Sequence, residues 1–80
     1  MDEYMGTVTL FAGNFAPRNW AFCDGTLIPI NQNQALFSIL GTQFGGDGIK
    51  NFALPDLRKT APLPNLNYLI CVQGIYPTRD

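Results

Sequence analysis

A chain of 80 residues makes one domain (1–80), and a domain this small buries too little surface for a large core. Apolar residues make up 46% of it and charged residues only 14%, against roughly 25% in typical soluble domains; part of the surface is therefore expected to be hidden against copies of the chain or a partner, the alternative being a compact monomer rich in Asn, Gln and Thr. Net charge is −1, Arg18, Lys50, Arg58, Lys59 and Arg79 form no basic cluster, there is no histidine, and no apolar run is long enough to span a bilayer, which excludes an electrostatic nucleic-acid surface, a His-based metal site and membrane insertion.

The opening MDEYMGTVTLF begins acidic and has no basic n-region followed by an apolar h-region, so no Sec-type signal peptide is expected. Lysis, a dedicated machine or processing of a longer precursor would then account for an extracellular location. Thr7 to Phe11 alternates polar and apolar and predicts a half-buried strand with Val8 and Leu10 facing in. Pro17 keeps Ala16 out of helix in the loop that follows. Trp20–Cys23 predicts a second strand with Trp20 and Phe22 on one face. Asp24-Gly25 then has the chemistry of a tight hairpin turn, with Thr26-Leu27-Ile28 returning as the partner strand and Pro29 confining it to an edge or an end.

Ala35, Leu36, Ile39 and Leu40 recur at helical spacing and predict a helix over 32–40. Asn31 is its expected N-cap, Gln34 completes a capping box, and Gly41 ends it. Phe37 fits either face. Thr42–Gly48, with Gly45, Gly46, Asp47 and Gly48, is expected to be a loop with several positive-φ positions. It lacks the GxxxxGK[ST] pattern and follows a helix instead of opening one, so it does not read as a phosphate cradle. One aspartate is also too few for a calcium loop.

Phe52–Arg58 predicts a short extended segment outside any central ladder position because of Pro55. Asp56 and Arg58 are expected to act as a structural clamp, pairing with each other or with nearby amides. Thr60–Asn65 is a proline-spaced connector. Leu66–Val72 is apolar on both faces, Tyr68, Ile70 and Val72 on one and Leu69 and Cys71 on the other, which predicts a strand buried on both sides. Cys23 and Cys71 are too few and too far apart for zinc. They read as two small buried hydrophobes or, alternatively, as a disulfide closing a loop of about 48 residues, which chain entropy values at roughly 4 kcal/mol.

Catalysis has little to draw on. Without histidine there is no Ser-His or Cys-His pair. Asp24 and Asp47 sit in turns, Asp56 sits beside an arginine that lowers its basicity, and Glu3, Asp2 and Asp80 lie near the ends. No enzyme activity and no cofactor are expected.

Three stretches, NFAPRNWAFCDG, NQNQALFSILGTQFGGDG and FALPDLR, together resemble the phage tail collar domain found in short tail fibres and in the microcystin-dependent bacterial proteins. The resemblance runs from Gly6 through Arg58, and NYLICVQGIYPTRD is similar to the C-terminal strand of the latter proteins. It implies a mainly β fold with one short helix, hairpins and long Gly/Pro loops. Residues 6–58 form the collar motif, 59–66 a shortened connector and 67–80 a closing strand and tail. Lys59 stands where the family has glycine, and the long insert that follows LPDLRGR in relatives is replaced by a few residues. The histidines that hold a metal in trimeric short fibres are absent, so no metal is carried over.

The resemblance thus implies a structural subunit of a tail fibre or tail-like extracellular appendage, assembled from copies of itself as a trimer or polymer, with other tail proteins as further partners. The alternative is an adhesin whose exposed aromatics, Phe15, Trp20 and Phe44, contact a surface glycan; those same residues would otherwise fill the core.

Overall fold

The chain is described by a computed structural model covering residues 3–60 and 66–78. Five strands, β1 (Val8–Phe11), β2 (Trp20–Phe22), β3 (Leu27–Pro29), β4 (Asn51–Ala53) and β5 (Asn67–Cys71), combine with a 3-10 turn (Ile30–Gln32) and one helix, α1 (Gln34–Leu40). They form two antiparallel sheets, β1-β5-β2 and β3-β4. Among the described residues the domain is therefore mainly β with a single short helix.

The run that is apolar on both faces lies at the centre of the larger sheet, where it is covered from both sides: Leu69, Ile70 and Cys71 are at most 1% exposed. Ile70 joins Cys23, Leu36, Leu40, Phe52 and Leu54 in the core. This core lies between α1, the smaller sheet and one face of the larger sheet. Phe37 turns inward, its ring 5.2 Å from that of Phe52.

The chain enters β1 through a bulge. The Gly6 amide donates to the Cys71 carbonyl at 2.8 Å, and the Cys71 amide donates to the Thr7 carbonyl at 2.9 Å, so two residues oppose one. Position one of such a bulge is left-handed, and Gly6 has φ 91°. Before the bulge, Met5 donates to Ile75 (2.7 Å) and Ile75 donates to Glu3 (3.0 Å), which ties the first described residues to the segment that follows β5.

Three expectations are corrected. Val8 and Leu10 do share the core-side face of the sheet with their cross-strand partners Ile70 and Tyr68. They nevertheless remain 40% and 41% exposed, because β1 is an edge strand and the core does not extend beneath it. Asp24-Gly25 does not close a hairpin: β2 pairs with β5, and β3 pairs with β4. The Asp24 carboxylate instead accepts from the amide of Thr26 (3.1 Å) and from its hydroxyl. The backbone around it is taken up by the LPDLR segment, with Leu57 donating to Cys23 (2.9 Å), Gly25 to Pro55 (3.2 Å) and Leu54 to Thr26 (3.0 Å). The turn thus moves the chain from one sheet to the other.

The helix also begins later than expected. Asn31 lies in the 3-10 turn, α1 starts at Gln34, and no side chain caps it. Asn33 donates its side-chain amide to the Pro29 carbonyl (2.9 Å) and its backbone amide to Ile30 (2.9 Å). That turn packs the partly buried Ile30 against the core, and Asn33, at the N-cap position of α1, spends its side-chain amide on Pro29 and not on the helix. The connector stretch 61–65 and the charged end at 79–80 lie outside the described residues.

Candidate functional site

The glycine loop and the LPDLR segment flank β4 on its two sides in sequence, and both are organised by aspartates. In the loop, Gly45, Gly46 and Gly48 have φ of 129°, 96° and 73°. Gly46 passes so close to β4 that an added Cβ would lie 2.4 Å from the Phe52 Cα. Asp47 Oδ1 accepts from three successive amides, Ile49 (2.8 Å), Lys50 (2.9 Å) and Asn51 (3.1 Å). Those bonds favour the ionised carboxylate and lower its pKa from the ordinary range. Asn51 Oδ1 accepts from the Asp47 amide in return (3.1 Å). The single carboxylate of the loop is thereby committed to its own backbone.

In LPDLR, Pro55 is buried and its carbonyl holds Gly25, which has φ 80° and sits against the Asp56 side chain. Arg58 grips Asp56 through two bonds, Nε to Oδ1 at 2.9 Å and Nη2 to Oδ2 at 2.7 Å. The guanidinium holds the Asp56 carboxyl down at about 2, so it is a poor base at neutral pH. Both partners are solvent-exposed (68% and 48%), and an exposed pair of this kind orders the surface more than it stabilises the fold.

Cys23 and Cys71 are free, which corrects the disulfide reading. The sheet register gives the reason. Trp20 faces Cys71 and Ala21 faces Ile70; Cys23, three residues after Trp20, therefore lies on the opposite face from Cys71. Burial, with the Asp24 charge adding to it, pushes the Cys23 thiol up to about 11, and burial likewise raises Cys71. Both shifts favour the protonated, less nucleophilic thiol at neutral pH.

The three aromatics considered for glycan contact are dispersed. Phe15 is 62% exposed and meets Phe11 edge-on at 5.9 Å. Trp20 is half-buried on the outer face of the larger sheet, alongside Leu69 and Phe11. Phe44 belongs to the glycine loop beyond α1 and is 44% exposed. Phe15 and Phe44 are therefore not core residues.

A cleft of about 280 Å³ lies between the Asp24 turn and β5, lined in part by Asn14, Asp24, Arg58, Asn67 and Tyr68. Much of its polar lining already has partners: Arg58 is on Asp56, Asp24 is on Thr26, and Asn67 donates to the Gly13 carbonyl (3.2 Å). Among the described residues, no group of three or more His, Cys, Asp or Glu side chains is placed to hold a metal. No helix among them is long and apolar enough to cross a membrane.

Sequence reasoning singled out Asp24, Asp47, Asp56 and Arg58 but missed the residues that complete them. Asn51 closes the Asp47 loop, and Thr26 occupies Asp24. The spacing signals were present, Asp-x-x-x-Asn and Asp-x-Thr, since short polar side chains bind backbone a few residues away.

The model of one protein family, the phage tail collar domain, matches residues 6–62. A search of curated proteins gave no match.

Proposed function

Because the chain belongs to the phage tail collar domain family, we propose that it is a non-enzymatic structural subunit of a phage tail fibre or tail-like extracellular appendage and that it self-associates. The observation that carries self-association is apolar surface. Tyr4, Val8, Leu10, Phe15, Leu27, Phe44, Ile49, Ile75 and Tyr76 are all exposed, Ile49 at 82%, on a chain with few charges to keep that surface wet. The absence of catalysis is supported by the state of the reactive groups: each organising aspartate is bound to a neighbour, and both thiols are buried and protonated.

Sedimentation velocity over a range of concentrations, with negative-stain microscopy, tests this reading. Defined oligomers or rods are expected. A single monomeric species at every concentration would overturn it.

A second reading, a module that binds a cell-surface glycan, is favoured by the exposure of Phe15 beside the exposed Asn14. A flat aromatic face flanked by an amide suits a sugar ring. A glycan-array signal that disappears in Phe15→Ala while the fold is retained would support it.

A further inference from the structure

We infer that β1 is the self-association edge, and that two copies join antiparallel β1 to β1 about a two-fold axis through Thr9. This deepens the self-association reading above and rests on it. The Cys71 amide bonds the Thr7 carbonyl, and the register continues as Val8 with Ile70, Thr9 with Leu69, Leu10 with Tyr68 and Phe11 with Asn67. In an antiparallel ladder, bonded and non-bonded pairs alternate. Thr7, Thr9 and Phe11 therefore turn their backbone groups toward β5, while Val8 and Leu10 turn theirs away.

No strand among the described residues lies on that outer side. An open edge presents alternating N–H and C=O groups, and its natural complement is another extended strand. Proteins usually protect such an edge with lysine, proline or a bulge within the exposed stretch. VTLF has no charge and no proline, and the bulge at Gly6 lies before it.

The sequence selects a second copy as the occupant. With the axis at Thr9, Val8 meets Leu10 of the second copy and Leu10 meets Val8 of the second copy. Each pair exchanges two hydrogen bonds, so all four outward groups of each chain are satisfied. The exposed Val and Leu side chains become cross-strand neighbours on one face, and Thr9 meets Thr9 of the second copy on the other. Such apolar and Thr–Thr pairs are favourable, and no like charges oppose. Registers centred on Val8 or on Leu10 place the remaining residue against Gly6 or Ala12 of the second copy and lose this match.

The result is one six-stranded sheet, β2-β5-β1 continued by the same strands of the second copy in reverse order. The contact is isologous and closes a dimer, so a filament would need a second, different contact. One four-residue strand per copy is a small interface, so pairing is expected to be roughly micromolar or weaker.

Cysteine cross-linking tests the register. Thr9 of each copy would form a non-bonded pair with Cα atoms about 4.5 Å apart, which a disulfide spans. Thr7 of each copy would be four positions out of register, about 13 Å apart. Thr9→Cys should give a disulfide-linked dimer on mild oxidation, whereas Thr7→Cys should remain monomeric on a non-reducing gel. Leu10→Lys should weaken association of the full chain at least tenfold by sedimentation equilibrium, with circular dichroism confirming its fold.

Oligomers in the parent protein without selective cross-linking of Thr9→Cys would overturn the edge assignment and leave self-association standing. The same holds if Thr9→Cys cross-links only to a different protein. A parent protein that stays monomeric with no cross-link overturns both.

Discussion

Asp47 and Asn51 hold each other across the glycine loop: the Asp47 amide donates to Asn51 Oδ1, and the Asn51 amide donates to Asp47 Oδ1, each at 3.1 Å. With the Ile49 and Lys50 amides also on Asp47 Oδ1, this reciprocal pair fixes the path from the loop into β4. Asp47→Ala leaves three amides without their acceptor and is expected to lower the melting temperature clearly. Asp47→Asn keeps an acceptor oxygen and should cost less. Thermal melts of the two variants check this ranking, and equal losses would show that the carboxylate oxygen does not organise the loop.

The same carboxylate gives the fold an acid sensitivity. Backbone bonds lower the pKa of Asp47 in the folded protein, and the Arg58 bonds lower that of Asp56 to about 2. A depressed carboxylate contributes stability above its unfolded value, near 3.8 for both groups, and loses it as pH falls through the folded value. Stability should therefore be flat near neutrality and decline between about pH 4 and pH 2. Melting curves across that interval should be shallower for Asp47→Asn, and an unchanged slope would remove Asp47 from the account.

Gly46 should be the least replaceable of the loop glycines. Its φ of 96° strains any other residue, at about 1–3 kcal/mol. An added Cβ would also meet backbone, the Phe52 Cα at 2.4 Å and the Asn51 carbonyl at 2.9 Å; that collision requires β4 to move and adds on the order of 1–3 kcal/mol. Gly41→Ala, at φ 59° with nothing within 4 Å, carries only the conformational cost. Urea denaturation of both variants should place Gly46→Ala well below Gly41→Ala.

The elements that could be read from the sequence are those decided by local chemistry. The apolar run 66–72 had to be central because it is apolar on both faces, and the glycines of 45–48 had to be a loop because of their backbone freedom. What was not legible is pairing across distance. The Asp24-Gly25 signal is local and favours a hairpin with either partner; the competition is decided by LPDLR, some thirty residues later, which takes up the backbone around the turn. The exposure of Val8 and Leu10 was likewise hidden, because periodicity reports which side a residue faces and not how far the core extends beneath it. At the candidate site the aspartates stood out by type, while Asn51 and Thr26 did not, since polar residues in turns are common.

Cys23 and Cys71 provide a chemical test of the sheet. Their placement on opposite faces predicts that dithiothreitol leaves the melting temperature unchanged, whereas a disulfide of that span would contribute roughly 4 kcal/mol and make reduction conspicuous. Because both thiols are buried and raised in pKa, a thiol reagent at pH 8 should label the native protein far more slowly than the protein unfolded in guanidinium. Rapid labelling of the native state would mean that one face of the larger sheet is open at Cys23 or Cys71.

Two phenylalanines that composition alone treats alike should respond oppositely. Phe52 is fully buried, packs on Phe37 and sits where the glycine loop crosses β4; Phe52→Ala should cost about 3–5 kcal/mol, which in a domain this small approaches the whole stability. Phe15 is 62% exposed and touches Phe11 edge-on, so Phe15→Ala loses little more than one aromatic pair, about 0.5–1.5 kcal/mol. Phe15→Ala should therefore remain folded by circular dichroism and separate the two functional readings. Unchanged oligomerisation together with a lost glycan signal assigns Phe15 to recognition. Weakened oligomerisation places it in the subunit contact instead. Loss of fold in Phe15→Ala would refute its placement on the surface.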